Sequence, residues 1–172
     1  NIKVNGREIT LEKPDVLVDL GSIAKGYIVD KITEYLISEG ILQGYVNGRG
    51  DIRVFGEEEQ LIGIQHPRKA NEFIKRINLK NKSVATSGDY SQFDKSFDKS
   101  HILNQNDLIS VTAITSDLYT ADLFSTVLFV TDRKERGKIL SKNKDVRVLT
   151  IDKNLKINYY NGFQNHIIKN EK

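Results

Sequence analysis

An α+β fold is what this sequence predicts: an antiparallel or mixed β-sheet core with two main helices packed on it. Three observations predict it. The middle of the chain is a series of short β-former segments parted by turn residues. One segment of helical period stands before that series and another stands after it. The 172 residues include only two prolines and no stretch resembling an interdomain linker, so residues 1–172 are read as one domain.

Residues 2–4 and 8–11 flank Asn5-Gly6, a turn signal, and predict an opening hairpin. Residues 16–18 read as a short apolar strand leading into Asp19-Leu20-Gly21-Ser22. A helix follows, with Ala24, Ile28, Ile32, Tyr35 and Leu36 as its apolar face. Lys31, Glu34 and Ser38 lie opposite, and Gly40 is its stop. Strands are expected at 45–47, 52–55, 61–65, 73–79, 83–86, 102–103 and 108–115. The repeat Phe93-Asp94-Lys95-Ser96, Phe97-Asp98-Lys99-Ser100 reads as a solvated hairpin tip, without the spacing of a calcium loop. A second helix is capped at Ser116-Asp117 and runs to about Val130, and a short charged helix follows over 133–141. Strands 146–151 and 155–160 close the fold, and 162–172 reads as a polar tail.

Composition narrows the function. Hydrophobic residues make up 38 % and charged residues 28 %, the balance of a globular rather than a disordered chain. The net charge of +3 is spread over interspersed signs, which gives no footprint for nucleic acid. No stretch reaches the length of a membrane span. With zero cysteines, disulfides, cysteine nucleophiles and thiolate metal sites are excluded. The chain opens on Asn1 and contains no methionine, so it is expected to be a processed or excised piece.

Five places carry candidate chemistry. Asp122 sits in the largely apolar helix 118–129, where a carboxylate needs a hydrogen bond, a metal or an edge. Thr126, one turn on, shares its face, and such oxygens suit a hard cation; a solvated carboxylate beside a core stripe is the plain alternative. The run Asp19-Leu20-Gly21-Ser22-Ile23-Ala24-Lys25-Gly26 is a strand-to-helix turn whose free N–H groups suit a phosphate. Lys25 adds charge, and Gly26 leaves room for a ligand beside the backbone. It is neither a Walker loop nor a Rossmann fingerprint, and glycines at tight turns are common. Asn47-Gly48-Arg49-Gly50-Asp51 and Thr86-Ser87-Gly88-Asp89-Tyr90 are polar turns able to meet a phosphate or ribose, or ordinary loops. Among His66, His101 and His166, His101 enters a strand and is the candidate proton acceptor; a structural histidine is the alternative. No serine has a nucleophile-elbow context.

Taken in order, these segments resemble the FAD:protein FMN transferases of the ApbE type. The resemblance runs from Asp19 to Thr126 and includes Ile64-Gln65-His66-Pro67, Ser100-His101-Ile102-Leu103, Val111-Thr112 and Ala121-Asp122-Leu123-Phe124-Ser125-Thr126. It implies an ApbE-like, T-fold-like architecture. It further implies Mg²⁺ held by the Ala24 carbonyl, Asp122 and Thr126, and FAD as substrate. Lys25, Gly26, Asn47, Thr86, Ser87 and Gly88 would contact FAD, with His101 and Asp122 as catalytic residues. FMN would pass to a threonine or serine of an acceptor in a membrane redox system, releasing AMP, outside the cytoplasm; a cytoplasmic location is the alternative. An FAD pyrophosphatase and a non-catalytic flavin-binding or scaffold domain remain as other readings. The chain departs from the family pattern at Ser22 and Arg49, where glycines are usual. Asn104-Gln105-Asn106-Asp107 stands where Asp-Pro-Arg-Thr-Gly is usual, and the family's amino-terminal region has no counterpart.

Overall fold

The computed structural model describes residues 2–14, 18–89 and 107–168. The expectations at 16–17, 93–100 and 102–103, and His101 itself, lie outside these residues.

The opening hairpin forms, with β1 (Ile2–Asn5) antiparallel to β2 (Glu8–Leu11). Its turn sits one position later than expected. Asn5 pairs with Glu8, so the loop is Gly6-Arg7, and Gly6 takes φ +60° at the first central position. A glycine there suits the tight turn that matches strand twist. Both strands are exposed throughout and stand apart from the core.

Helix α1 (Gly21–Ser38) ends as expected at Gly40. Ile41 N–H donates to the Leu36 carbonyl and Gly40 N–H to the Ile37 carbonyl, the paired bonds of a Schellman stop. The buried face differs from the expected one. Gly26, Val29 and Thr33 are buried, whereas Ile28, Ile32 and Tyr35 are exposed. The reason is close helix contact: a β-carbon on Gly26 would lie 2.5 Å from the Leu118 carbonyl oxygen. No side chain fits at position 26, where α1 meets the start of α2.

The main sheet has six strands: β3 (Gly44–Gly48), β4 (Asp51–Phe55), β7 (Ser83–Gly88), β8 (Leu108–Thr115), β9 (Arg147–Asp152) and β10 (Ile157–Tyr160). Their spatial order is β10-β9-β8-β7-β4-β3, and every pair is antiparallel. The sheet is therefore antiparallel rather than mixed. β5 (Gln60–His66) and β6 (Lys69–Leu79) form a separate hairpin inserted between β4 and β7. α2 (Leu118–Val130) and α3 (Arg133–Lys142) connect β8 to β9. Asp117 caps α2 through Thr120 N–H, and Asp132 caps α3 through Lys134 and Glu135 N–H.

Three layers result. On one face of the sheet, Val111, Ala113 and Val148 pack with Leu128, Phe129 and Leu140 of α2 and α3. On the other, Ile52, Val84, Ile114 and Leu149 pack with Ile62, Ile64 and Ile77 of the β5–β6 hairpin. β8, covered on both faces, is buried at all eight positions. The expected polar tail is partly structural. Residues Phe163–His166 form a 3₁₀ turn, Phe163 is fully buried, and Ile167 bridges to Ile77. Among the described residues, no helix is long and apolar enough to cross a membrane.

Candidate active site

α1 and α2 meet at their amino-terminal halves, and that junction fixes the site. Asp30 of α1 accepts hydrogen bonds from Leu118 N–H (2.9 Å) and Tyr119 N–H (2.8 Å). These are orphan donors of the first turn of α2, and a carboxylate suits the positive end of that helix. One turn further along α2, Asp122 reaches back to α1 and accepts Gly26 N–H at 2.9 Å. Asp122 is 3 % exposed. Burial pushes its carboxyl above the ordinary range; Gly26 N–H opposes this, the like charge of Asp51 adds to it, and Lys25 opposes it.

Asp51 is the hub beside it. It is 2 % exposed, pairs with Lys25 Nζ through Oδ2, and accepts Thr86 N–H at 3.1 Å through Oδ1. Sequence reasoning placed Asp51 in a loop and gave it no role. The available signal was an aspartate directly after a two-glycine turn, at the first residue of a strand.

Thr86-Ser87-Gly88 is the end of β7, not a turn. Strand alternation divides its hydroxyls between the two faces. Thr86 Oγ1 meets Thr112 Oγ1 at 2.9 Å, whereas Ser87 Oγ meets Ser125 Oγ at 2.8 Å and Thr126 Oγ1 at 3.0 Å on α2. Asp122 and Thr126 share a helix face, as expected.

A cavity of about 640 Å³ opens alongside, lined by the β3–β4 and β5–β6 hairpins, β7 and Lys25. Lys25, Asn47, Thr86 and Gly88 line it; Gly26, Ser87, Asp122 and Thr126 do not. The reason given for Gly26 is thus corrected, because its α-carbon faces the Leu118 backbone and not a ligand. The amides at the head of α1 are also largely spent internally: Gly21 N–H on Asp19, and Ile23 and Ala24 N–H on the Leu20 carbonyl. Asn47 uses its side-chain oxygen on Gly50 N–H at 2.8 Å. His66 Nδ1 accepts Arg68 N–H, and His166 sits against the Asn78 carbonyl, away from the cavity. Among the described residues, no group of three or more His, Cys, Asp or Glu gathers as a metal site. A metal held by the described residues alone would use fewer carboxylates, with neutral oxygens.

The family model described as the ApbE family matches residues 1–150. The chain belongs to the ApbE family. It is 31 % identical over 156 residues to the FAD:protein FMN transferase of Klebsiella pneumoniae (strain 342), covering 85 % of this chain and 49 % of that protein. With the enzyme of the same name from Vibrio cholerae, identity is 31 % over 170 residues, covering 89 % and 50 %. The crystal structure of the ApbE protein from Thermotoga maritima superposes with a TM-score of 0.84 at 30 % identity, over 98 % of this chain and 60 % of that one. The flavin transferase ApbE from Vibrio cholerae gives a TM-score of 0.79 at 30 % identity, over 96 % and 57 %. The chain thus spans about half the length of the curated ApbE relatives it matches.

Proposed function

We propose that this chain carries the site of an FAD:protein FMN transferase. The observation that supports it most is the convergence at the head of α1. There a buried Asp122, the Lys25–Asp51 pair and the Thr86-Ser87 strand end meet beside a dinucleotide-sized cavity. The relatives' shared name supplies the chemistry.

In the proposed reaction FAD occupies the cavity with its pyrophosphate toward Lys25. The hydroxyl oxygen of an acceptor threonine or serine forms a bond to the FMN phosphorus. The bond from that phosphorus to the bridging oxygen breaks, and AMP leaves with the electron pair. The hydroxyl proton passes to His101, a step that typically contributes ~10²–10⁴-fold. Lys25, fixed by Asp51, supplies positive charge at the pyrophosphate, and Asp51 also fixes β7 through Thr86 N–H.

The donor set fits Mg²⁺. Asp122 is buried and accepts one backbone N–H, from Gly26, and the Thr126 hydroxyl follows one turn on. The Ala24 carbonyl, two residues before Gly26, would complete an all-oxygen set. The bound ion would neutralise charge developing on the pyrophosphate oxygens. On the family resemblance alone, the proposed acceptor belongs to a membrane redox system and transfer takes place outside the cytoplasm.

The test is AMP release from FAD with Mg²⁺, with and without chelator, in the presence of an acceptor domain. Metal-dependent AMP together with a flavin-labelled acceptor is expected. Metal-dependent AMP with only free FMN would make the chain a pyrophosphatase, and no AMP at all would overturn the reading.

A further inference from the structure

The cavity has three charged lining residues: Lys25, Asp51 and Arg49. Lys25 and Asp51 pair with each other, so Asp51 offsets part of the Lys25 charge. The remaining positive charge is Arg49. Among the described residues, no hydrogen bond or ion pair engages its guanidinium.

Its backbone makes the choice of arginine informative. Gly48 pairs with Asp51, so Arg49-Gly50 is a two-residue hairpin loop. Both residues have positive φ, 61° for Arg49 and 104° for Gly50. This is the turn in which asparagine, aspartate or glycine normally takes the first central place, because a β-carbon there is strained. Strain held in place beside a cavity points to a function for the side chain. The Asn47 side chain ties down Gly50 N–H at 2.8 Å, so the loop that carries Arg49 is fixed rather than adaptable.

We infer that Arg49 is an anion-binding, specificity-determining residue of this cavity, its guanidinium taking a phosphate oxygen of the bound dinucleotide. A planar guanidinium suits a phosphate through paired N–H donors, and Arg49 adds an unpaired charge to that of Lys25, which Asp51 partly offsets. The ligand's identity rests on the flavin-dinucleotide reading; the anion assignment does not.

Arg49→Asn and Arg49→Lys test it, with binding of FAD, ADP, inorganic pyrophosphate and riboflavin measured by calorimetry. Arg49→Asn relieves the turn, so Tm should rise by about 2–4 °C. The same change should weaken FAD, ADP and pyrophosphate about tenfold or more, and leave riboflavin binding as it was. Arg49→Lys should recover part of that loss without the rise in Tm. Unchanged affinity for the phosphate-bearing ligands in Arg49→Asn would overturn the inference. So would an equal loss for riboflavin with a fall in Tm, the signature of a broken loop. If the parent chain binds pyrophosphate through Arg49 but not FAD, the flavin reading fails and the anion assignment stands. If it binds neither, both fail.

Discussion

Asp122 and Asp51 are two buried carboxylates within one electrostatic neighbourhood, and they are held differently. Asp51 has a lysine; Asp122 has one backbone amide. Because burial raises the folded carboxyl of Asp122 above its ordinary value, its contribution to stability is fully present below that ordinary value. The contribution is lost as pH rises through the raised one. In chelator, the stability of the parent minus that of Asp122→Asn should therefore fall as pH rises above the ordinary aspartate value of about 4. Asp122→Asn should equal or exceed the parent in Tm at neutral pH while losing AMP release. A parent that is the more stable at neutral pH in chelator would mean that burial does not penalise this carboxylate. Asp122 was legible in the sequence because a carboxylate inside an apolar helix is conspicuous. Asp51 was not, because an aspartate after a glycine turn is ordinary. Its partners Lys25 and Thr86 lie 26 and 35 residues away in the chain.

At the scale of elements, the caps and stops were legible and the packing face of α1 was not. Asp117 and Gly40 act through neighbours within a few residues, so a local reading finds them. The buried face of α1 is set by how closely α2 approaches, and periodicity carries no information about that distance. Ile28, Ile32 and Tyr35 were assigned inward, but the close contact at Gly26 turns the Gly26, Val29 and Thr33 face to the core. Urea denaturation checks this. Val29→Ala should cost about 2 kcal/mol, and Ile32→Ala less than about 1 kcal/mol. Gly26→Ala drives a β-carbon into the unyielding Leu118 backbone and should cost about 1–3 kcal/mol or more. It should also impair AMP release, since the Asp122 bond depends on that contact. Equal costs for Val29 and Ile32 would restore the periodicity-based face.

At the scale of the molecule, the α+β class and most strands followed from alternation and turn residues. The insertion of the β5–β6 hairpin over one sheet face did not, because pairing partners distant in sequence leave no local trace. The strand pairs β3–β4, β5–β6, β7–β8 and β9–β10 each join elements adjacent in the chain. The bonds that fasten α1 do not: Gly26 to Asp122 spans 96 residues and Leu118 to Asp30 spans 88. Closing loops of that length costs entropy that nearby hairpins avoid, so α1 is expected to dock on α2 after the sheet has formed. In native-state hydrogen exchange, amides of α1 should open at lower free energy than those of β7–β9. The order of assembly then governs when the molecule can do anything. Since Lys25 and the Gly26 amide both ride on α1, the candidate site is complete only when this last long-range contact closes. A ligand that bridges α1 to the sheet acts as a latch on the final folding step, slowing the escape of one helix rather than the unravelling of the whole chain.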